Sequence, residues 1–191
     1  SINPFNVENT EIILGSGSVI YGSDAIGGVM NFYTITPKLS ESKTPNLSAR
    51  STVRYASANT EKTAHLDFNV GFQKWGFHTS ASVSDFGDLK MGIHGPDDYL
   101  SLFYNQQTNA GDVMVSNTTP RIQKFTNFRQ IHLAQKVLFK ASDDLKFDLG
   151  IQYSTTSDYP RYDRLATYDS EGLLRYAEWN YGPQDWLLAN I

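Results

Sequence analysis

From Leu47 onward, apolar and polar positions alternate with a period of two, the repeat of a β-strand whose faces meet different surroundings. Leu47, Ala49, Val53 and Tyr55 alternate with Ser48, Arg50, Thr52 and Arg54. The cleanest run sets Ala64, Leu66, Phe68, Val70 and Phe72 against Thr63, His65, Asp67, Asn69 and Gln73. After a tight turn at Lys74-Trp75-Gly76, Phe77, Thr79, Ala81 and Val83 face away from His78, Ser80, Ser82 and Ser84. Ile131, Leu133, Val137 and Phe139 resume the pattern, interrupted by Gln135. A second tight turn at Ser142-Asp143-Asp144 leads to Leu145, Phe147, Leu149, Ile151 and Tyr153, and a sixth strand is predicted to begin near Trp186. The tight turns alternate with polar connections over 57–62, 88–126 and 158–184. In an up-and-down antiparallel sheet that order puts the tight turns at one end and the long loops at the other. A strand of a soluble β-sandwich shows the same alternation, so one run alone does not choose between the two.

Ahead of these strands lies the glycine-spaced stretch GSGSVIYGSDAIGGVMNFYT, Gly15 to Thr34. Glu11 to Leu14 reads as a short buried strand and Val29 to Thr34 as a second one. Gly15 and Gly17 permit a positive-φ turn between them, and Ser23 is placed to cap a single helical turn. A dinucleotide-binding loop is excluded by spacing, because the next strand pattern returns before a full helix could form. No Lys-Ser or Lys-Thr pair makes it a phosphate loop of the Walker kind. Pro37 to Asn46 has the composition of a solvated linker, which sets a boundary: a domain end at 1–36, a linker at 37–46 and a strand domain at 47–191.

Those residues carry a resemblance. The stretch resembles the C-terminal end of the plug domain of TonB-dependent outer-membrane receptors, where a Val-Glu-x-Ile-Glu-Val strand precedes G-P-G-S-x-x-Y-G-S-x-A-x-G-G-x-I-N-I-x-T. Val7-Glu8, Glu11-Ile12, Gly15, Gly17-Ser18, Tyr21-Gly22-Ser23, Ala25, Gly27-Gly28, Asn31 and Thr34 stand in register with it. Ser16, Leu14, Met30 and Phe32 depart from it. The resemblance implies an all-β transmembrane antiparallel barrel, here its N-terminal strands, preceded by the C-terminal part of a small α+β plug. It also implies energised import of an iron chelate, siderophore or haem, across the bacterial outer membrane. The partners implied are a TonB-type energy-coupling protein, the iron-chelate ligand and outer-membrane lipid, the first through a segment upstream of Ser1. A sugar-importing branch has a different plug ending, and Ser23-Asp24-Ala25 follows the siderophore and cobalamin type. The same receptor fold importing cobalamin or another ligand stays open, as do a soluble β-sandwich binding module and a glycine-loop enzyme.

Composition changes this picture little. Among 191 residues the net charge is −4 and there is no cysteine, which gives no support to nucleic-acid binding and removes disulfides and thiolate metal sites. The mean hydropathy of −0.39 is ordinary for a soluble protein but equally for a transmembrane barrel, whose alternation averages out. The chain starts without Met and is read as a fragment; five or six strands are too few to close a barrel, which takes about eight.

Candidate chemistry is sparse. His65 and His78 lie on polar strand faces, where lumen-facing side chains are expected, while His94 lies in a long loop beside Gly92 and Gly95 and is a candidate ligand contact. Arg50 and Arg54 are expected to pair with carboxylates of the N-terminal segment such as Glu8 or Glu11. In the second long loop, Tyr159, Arg161, Tyr162 and Arg164 open a run of interleaved aromatics and guanidinium groups, suited to planar or anionic ligands and equally to loop cores. RYDRL and RYAEWNYGPQDWLL in that loop resemble iron and haem uptake members of the same family. No catalytic residue, metal site or cofactor is expected, since no nucleophile, base and orienter come together at a recognisable spacing.

Overall fold

The computed structural model describes residues 2–191, and the described chain is all-β. The first two strands, β1 (Val7–Leu14) and β2 (Gly28–Thr34), pair antiparallel and are joined through the glycine stretch with one helical turn, α1 (Ser18–Tyr21). Long strands β3 (Asn46–Ala56), β4 (Glu61–Gly71) and β5 (Trp75–Phe86) follow. The first long loop then carries β6 (Leu89–Lys90), β7 (Phe103–Thr108), β8 (Gly111–Ser116) and β9 (Ile122–Gln123). Strands β10 (Phe128–Lys140) and β11 (Lys146–Thr156) come next. The second long loop holds β12 (Tyr159–Pro160), α2 (Tyr162–Leu165) and β13 (Asn180–Tyr181), and β14 (Asp185–Asn190) comes last.

Six strands form one antiparallel sheet in the order β14-β11-β10-β5-β4-β3. The sheet is open, with β3 and β14 at its edges. Both tight turns lie at one end and both long loops at the other, as the connection lengths predict. The first tight turn is Gln73-Lys74 rather than Lys74-Trp75-Gly76. The Phe72 N–H donates to the Trp75 carbonyl at 2.6 Å, so Trp75 and Gly76 already belong to β5. Among the described residues no helix is long and apolar enough to cross a membrane, which says nothing of strands.

The sheet is inside out. Leu66, Phe68, Val83 and Leu133 are 52%, 43%, 52% and 48% exposed, whereas His65, Ser80 and Ser82 on the other face are 3%, 2% and 2% exposed. No second sheet packs on the apolar face among the described residues, as a β-sandwich would require. On β4, β5, β10 and β11 that face carries no charge between Lys62, Asp85 and Arg129 at the loop end and Trp75, Phe139 and Phe147 at the turn end. Along β4 the charge-free stretch runs from Ala64 to Phe72, ~27 Å at ~3.4 Å per residue. The aromatic row at its turn end is stacked, with ring centroids 4.3 Å apart for Trp75 and Phe139 and 6.4 Å for Phe139 and Phe147. Gln135, the polar interruption in β10, lies on this face opposite Thr79, whose hydroxyl donates to its Oε1 at 2.6 Å. The two polar groups satisfy each other instead of needing water.

What buries the polar face is the N-terminal segment and the linker. Residues 35–45 have no regular structure, yet they are not a free linker. Pro37 is buried, the Asn69 side chain accepts from the Lys38 N–H at 2.7 Å and donates to its carbonyl at 3.1 Å, and the Ser40 N–H donates to the Phe72 carbonyl. Gly71 is the residue that lets the linker backbone approach so closely, because a Cβ there would run into the Lys38 carbonyl.

In the glycine stretch the helical turn is Ser18–Tyr21, not a turn capped by Ser23. Gly17 occupies its N-cap and Gly22, at φ +97°, ends it, and no helical turn follows Ser23 for it to cap. Gly15 takes the positive φ expected of it (+101°), but Gly17 does not, at −106°. Gly17 is needed for space instead, since a Cβ would stand 3.2 Å from the Tyr21 ring and 3.3 Å from Val29.

Candidate functional site

Two places gather functional groups: the polar face of the sheet under the N-terminal segment, and a cavity between the long loops. The first is built by strand register. His65 and Asp67, two apart on β4, share a face, and His65 stands opposite Ser82 of β5. His65 Nδ1 lies 2.7 Å from the Ser82 hydroxyl and its Nε2 lies 2.8 Å from Asp67 Oδ2. Such a serine, histidine and aspartate chain is also what hydrolases use, and the sequence analysis missed it because it crosses a hairpin. Here the Ser82 hydroxyl already accepts from Asn3 Nδ2 at 2.8 Å, and the Phe5 ring lies flat on the imidazole, 4.8 Å between centroids and 15° from parallel. With the hydroxyl hydrogen-bonded on both sides and the imidazole covered by Phe5, these groups hold the N-terminal segment against the sheet.

The rest of the contact follows the same plan. Asn3 caps the short 3-10 turn Pro4–Asn6 by accepting from the Phe5 N–H, and that turn aims Phe5 and Asn6 at the wall. Ser80 donates to Asn6 Oδ1 at 2.6 Å, and Arg50 donates to the Phe5 carbonyl at 2.9 Å. Arg50 and Arg54 do not pair with Glu8 or Glu11: Arg50 is bound to Asp67 at 2.8 Å and Arg54 to Glu61. The hairpin register supplies carboxylates on the adjoining strand, nearer than any on the N-terminal hairpin. His78 is buried on the same face, and its Nε2 has no partner among the described residues.

The glycine-motif residues lie in the hairpin itself. Tyr21 and Asn31 meet, the Asn31 amide lying 3.4 Å from both the Tyr21 hydroxyl and Glu11 Oε2. Tyr33 donates to the same carboxylate at 2.9 Å, which raises its pKa. A Cβ on Gly28, at φ +153°, would stand 2.7 Å from the Ile13 carbonyl; Gly27 and Ser18 are exposed, the Ser18 hydroxyl near that of Ser16.

The second place is a cavity of about 410 Å³ between the loops at 98–125 and 162–177, within the ~300–1,000 Å³ of small-molecule sites. The loops are tied together by Asn105, which donates to the Leu174 carbonyl at 2.7 Å, by Asp112 accepting from the Ala177 N–H, and by Gln123 donating to the Tyr162 carbonyl. Leu174 and Ala177 are two of the few buried apolar side chains in the molecule. Tyr99, Tyr104, Tyr162, Tyr168 and Tyr176 line it.

The predicted ligand contacts are only partly brought together there. Tyr162 lines the cavity; Arg161, Arg164, Tyr159 and His94 do not. Arg161 is bound to Asp163 and donates to the Tyr181 hydroxyl, and Arg164 lies over the Trp179 ring at 5.4 Å. Hydrogen bonds from Arg161 hold the Asp163 carboxyl below the usual carboxylate range, and Asp163 in turn raises the pKa of the guanidinium. Tyr159 packs on Phe128 with centroids 4.5 Å apart and lines a separate hollow beside Trp186. His94 is exposed. Among the described residues no three histidine, aspartate or glutamate side chains are placed to hold a metal ion. Comparison with family models, with curated proteins and with solved structures returns no match.

Proposed function

We propose that the chain is part of an outer-membrane receptor that imports a small ligand through a β-barrel whose bore is filled by the N-terminal hairpin. The resemblance in the glycine stretch makes the ligand an iron chelate and the energy source an inner-membrane coupling protein. The observation that carries the reading is the inverted sheet: a charge-free apolar face left open, and a polar face occupied by residues 3–6 and the linker. In water that arrangement would leave a large apolar surface exposed, whereas a bilayer covers it and leaves the polar face for the lumen. Further strands beside β3 and β14 would close the sheet. The long loops, carrying the cavity, then face outward, and the tight turns face the periplasm.

The test uses the full chain with Trp179 and Trp186 replaced by phenylalanine, so that Trp75 alone reports from the aromatic row. Refolding into phosphatidylcholine vesicles with brominated acyl chains should quench Trp75. A chain that stays monomeric in detergent-free buffer, with Trp75 unquenched, overturns the proposal.

A further inference from the structure

The loop cavity shows which kind of ligand fits. We infer that it takes an uncharged, oxygen-rich ligand with apolar faces and not a polyanion; the inference rests on the receptor reading and concerns the charge and shape of the ligand. Of the eleven tyrosine hydroxyls, those of Tyr21, Tyr33, Tyr153 and Tyr181 are hydrogen-bonded within the chain, and those of Tyr55 and Tyr159, outside the cavity, have no partner among the described residues. The hydroxyls of Tyr99, Tyr104, Tyr162, Tyr168 and Tyr176, which share one cavity, have no partner among the described residues. Asn105 adds a buried amide: one N–H is spent on the Leu174 carbonyl, and its Oδ1 accepts nothing from the described residues. Phe103 and Phe125 supply apolar walls between these groups, the Phe125 ring edge-on to Tyr104 at 5.6 Å. Rings with phenolic tips bind molecules that offer an apolar face and oxygens at its rim.

Charge excludes the alternative. A polyanion needs free guanidinium or ammonium groups aimed at it, in bidentate geometry where possible. None of the arginines of this loop lines the cavity: Arg161 is held on Asp163, and Arg164 and Arg175 lie over the Trp179 and Tyr176 rings, the latter at 5.6 Å. The charged groups lining the cavity are Asp98, Lys124 and Asp163, so one ammonium stands against two carboxylates, of which Asp163 is neutralised by Arg161. Two sources supply the chemistry inferred: an uncharged ferric trihydroxamate and a neutral oligosaccharide.

The experiment titrates the full chain in detergent micelles by calorimetry with three probes: an uncharged ferric trihydroxamate, maltotriose, and a ferric tricatecholate of charge −3. One of the first two should bind, with affinity changing less than twofold between 50 and 500 mM salt, since no ion pair is formed. The paired substitution Tyr104→Phe and Tyr162→Phe, which keeps both rings, should weaken it about tenfold, and Lys124→Ala should change it less than twofold. Binding by the trihydroxamate alone identifies a chelate, and binding by maltotriose alone a sugar. Preferential binding of the tricatecholate, a steep salt dependence, or no binding by either uncharged probe overturns the inference. The same preparation is tested for insertion into vesicles. Insertion without uncharged-ligand binding removes the ligand class and leaves the receptor; failure to insert removes the receptor.

Discussion

Leu66→Arg separates a lipid-covered face from a water-covered one. Leu66 lies on the apolar face opposite Ser51 and Ala81, one step along that face from Phe68, the midpoint of the charge-free stretch of β4. Its side chain is about half covered by neighbours, so packing contributes about half of the ~1.5–3 kcal/mol of a fully buried leucine, roughly 1 kcal/mol. The methylenes of arginine recover part of that, and in water the substitution should cost less than ~1 kcal/mol. In a bilayer the guanidinium near the midplane adds ~2–4 kcal/mol, falling to ~0–1 kcal/mol at the interface. Tyr55→Arg, on the same face at the loop end, is therefore the control. Guanidinium titration of the chain in phosphatidylcholine vesicles, followed by tryptophan emission, should show Leu66→Arg destabilising by about 3 kcal/mol and Tyr55→Arg by less than about 1 kcal/mol. Equal costs at the two positions, or a cost at Leu66 below about 1 kcal/mol in vesicles, would refute the argument.

Three further outcomes are expected. Phe5→Ala removes the ring stacked on His65 and beneath Arg54, and should weaken docking of residues 2–6 by about 1–2 kcal/mol; a nitroxide on Ile2→Cys, feasible because the chain has no other cysteine, should gain mobility, and unchanged spectra would refute the role. Gly71→Ala drives a methyl into the Lys38 carbonyl, so hydrogen exchange at the Ser40 amide should accelerate while that of the β10 and β11 amides does not. Because Arg161 depresses the Asp163 pKa, this pair contributes fully above the ordinary carboxylate value of about 4 and is lost as pH falls through the lower folded value. A carboxyl carbon shift titrating at or above about 4 would refute that pairing.

The strands were legible in the sequence because alternation is a local property: β4 (Glu61–Gly71) and β5 (Trp75–Phe86) hold the Ala64–Phe72 and Phe77–Val83 runs to within three residues at each end. Which face is covered was not local. A strand with His65 buried and Leu66 exposed has the same spelling as one turned over. The β7–β8 hairpin reads in sequence as a polar connection, since Asn105 to Asn109 hides its alternation; Val113, Val115 and Gly111, which takes a positive φ in the turn, are its marks. The partners of Arg50 and Arg54 depend on hairpin register, which sets Asp67 directly opposite Arg50 and Glu61 diagonal to Arg54, and neither strand read alone shows it. The cavity was invisible for the same reason, since Tyr104 and Tyr168 meet only once both loops have folded.

The clasp of Asn69 on both sides of the Lys38 peptide has a mechanical meaning. A pull on the amino-terminal hairpin travels along the backbone to that peptide and stops there, held by a β4 side chain within the sheet. Such a load is carried into β4 before it reaches the point where the chain itself enters the sheet at β3.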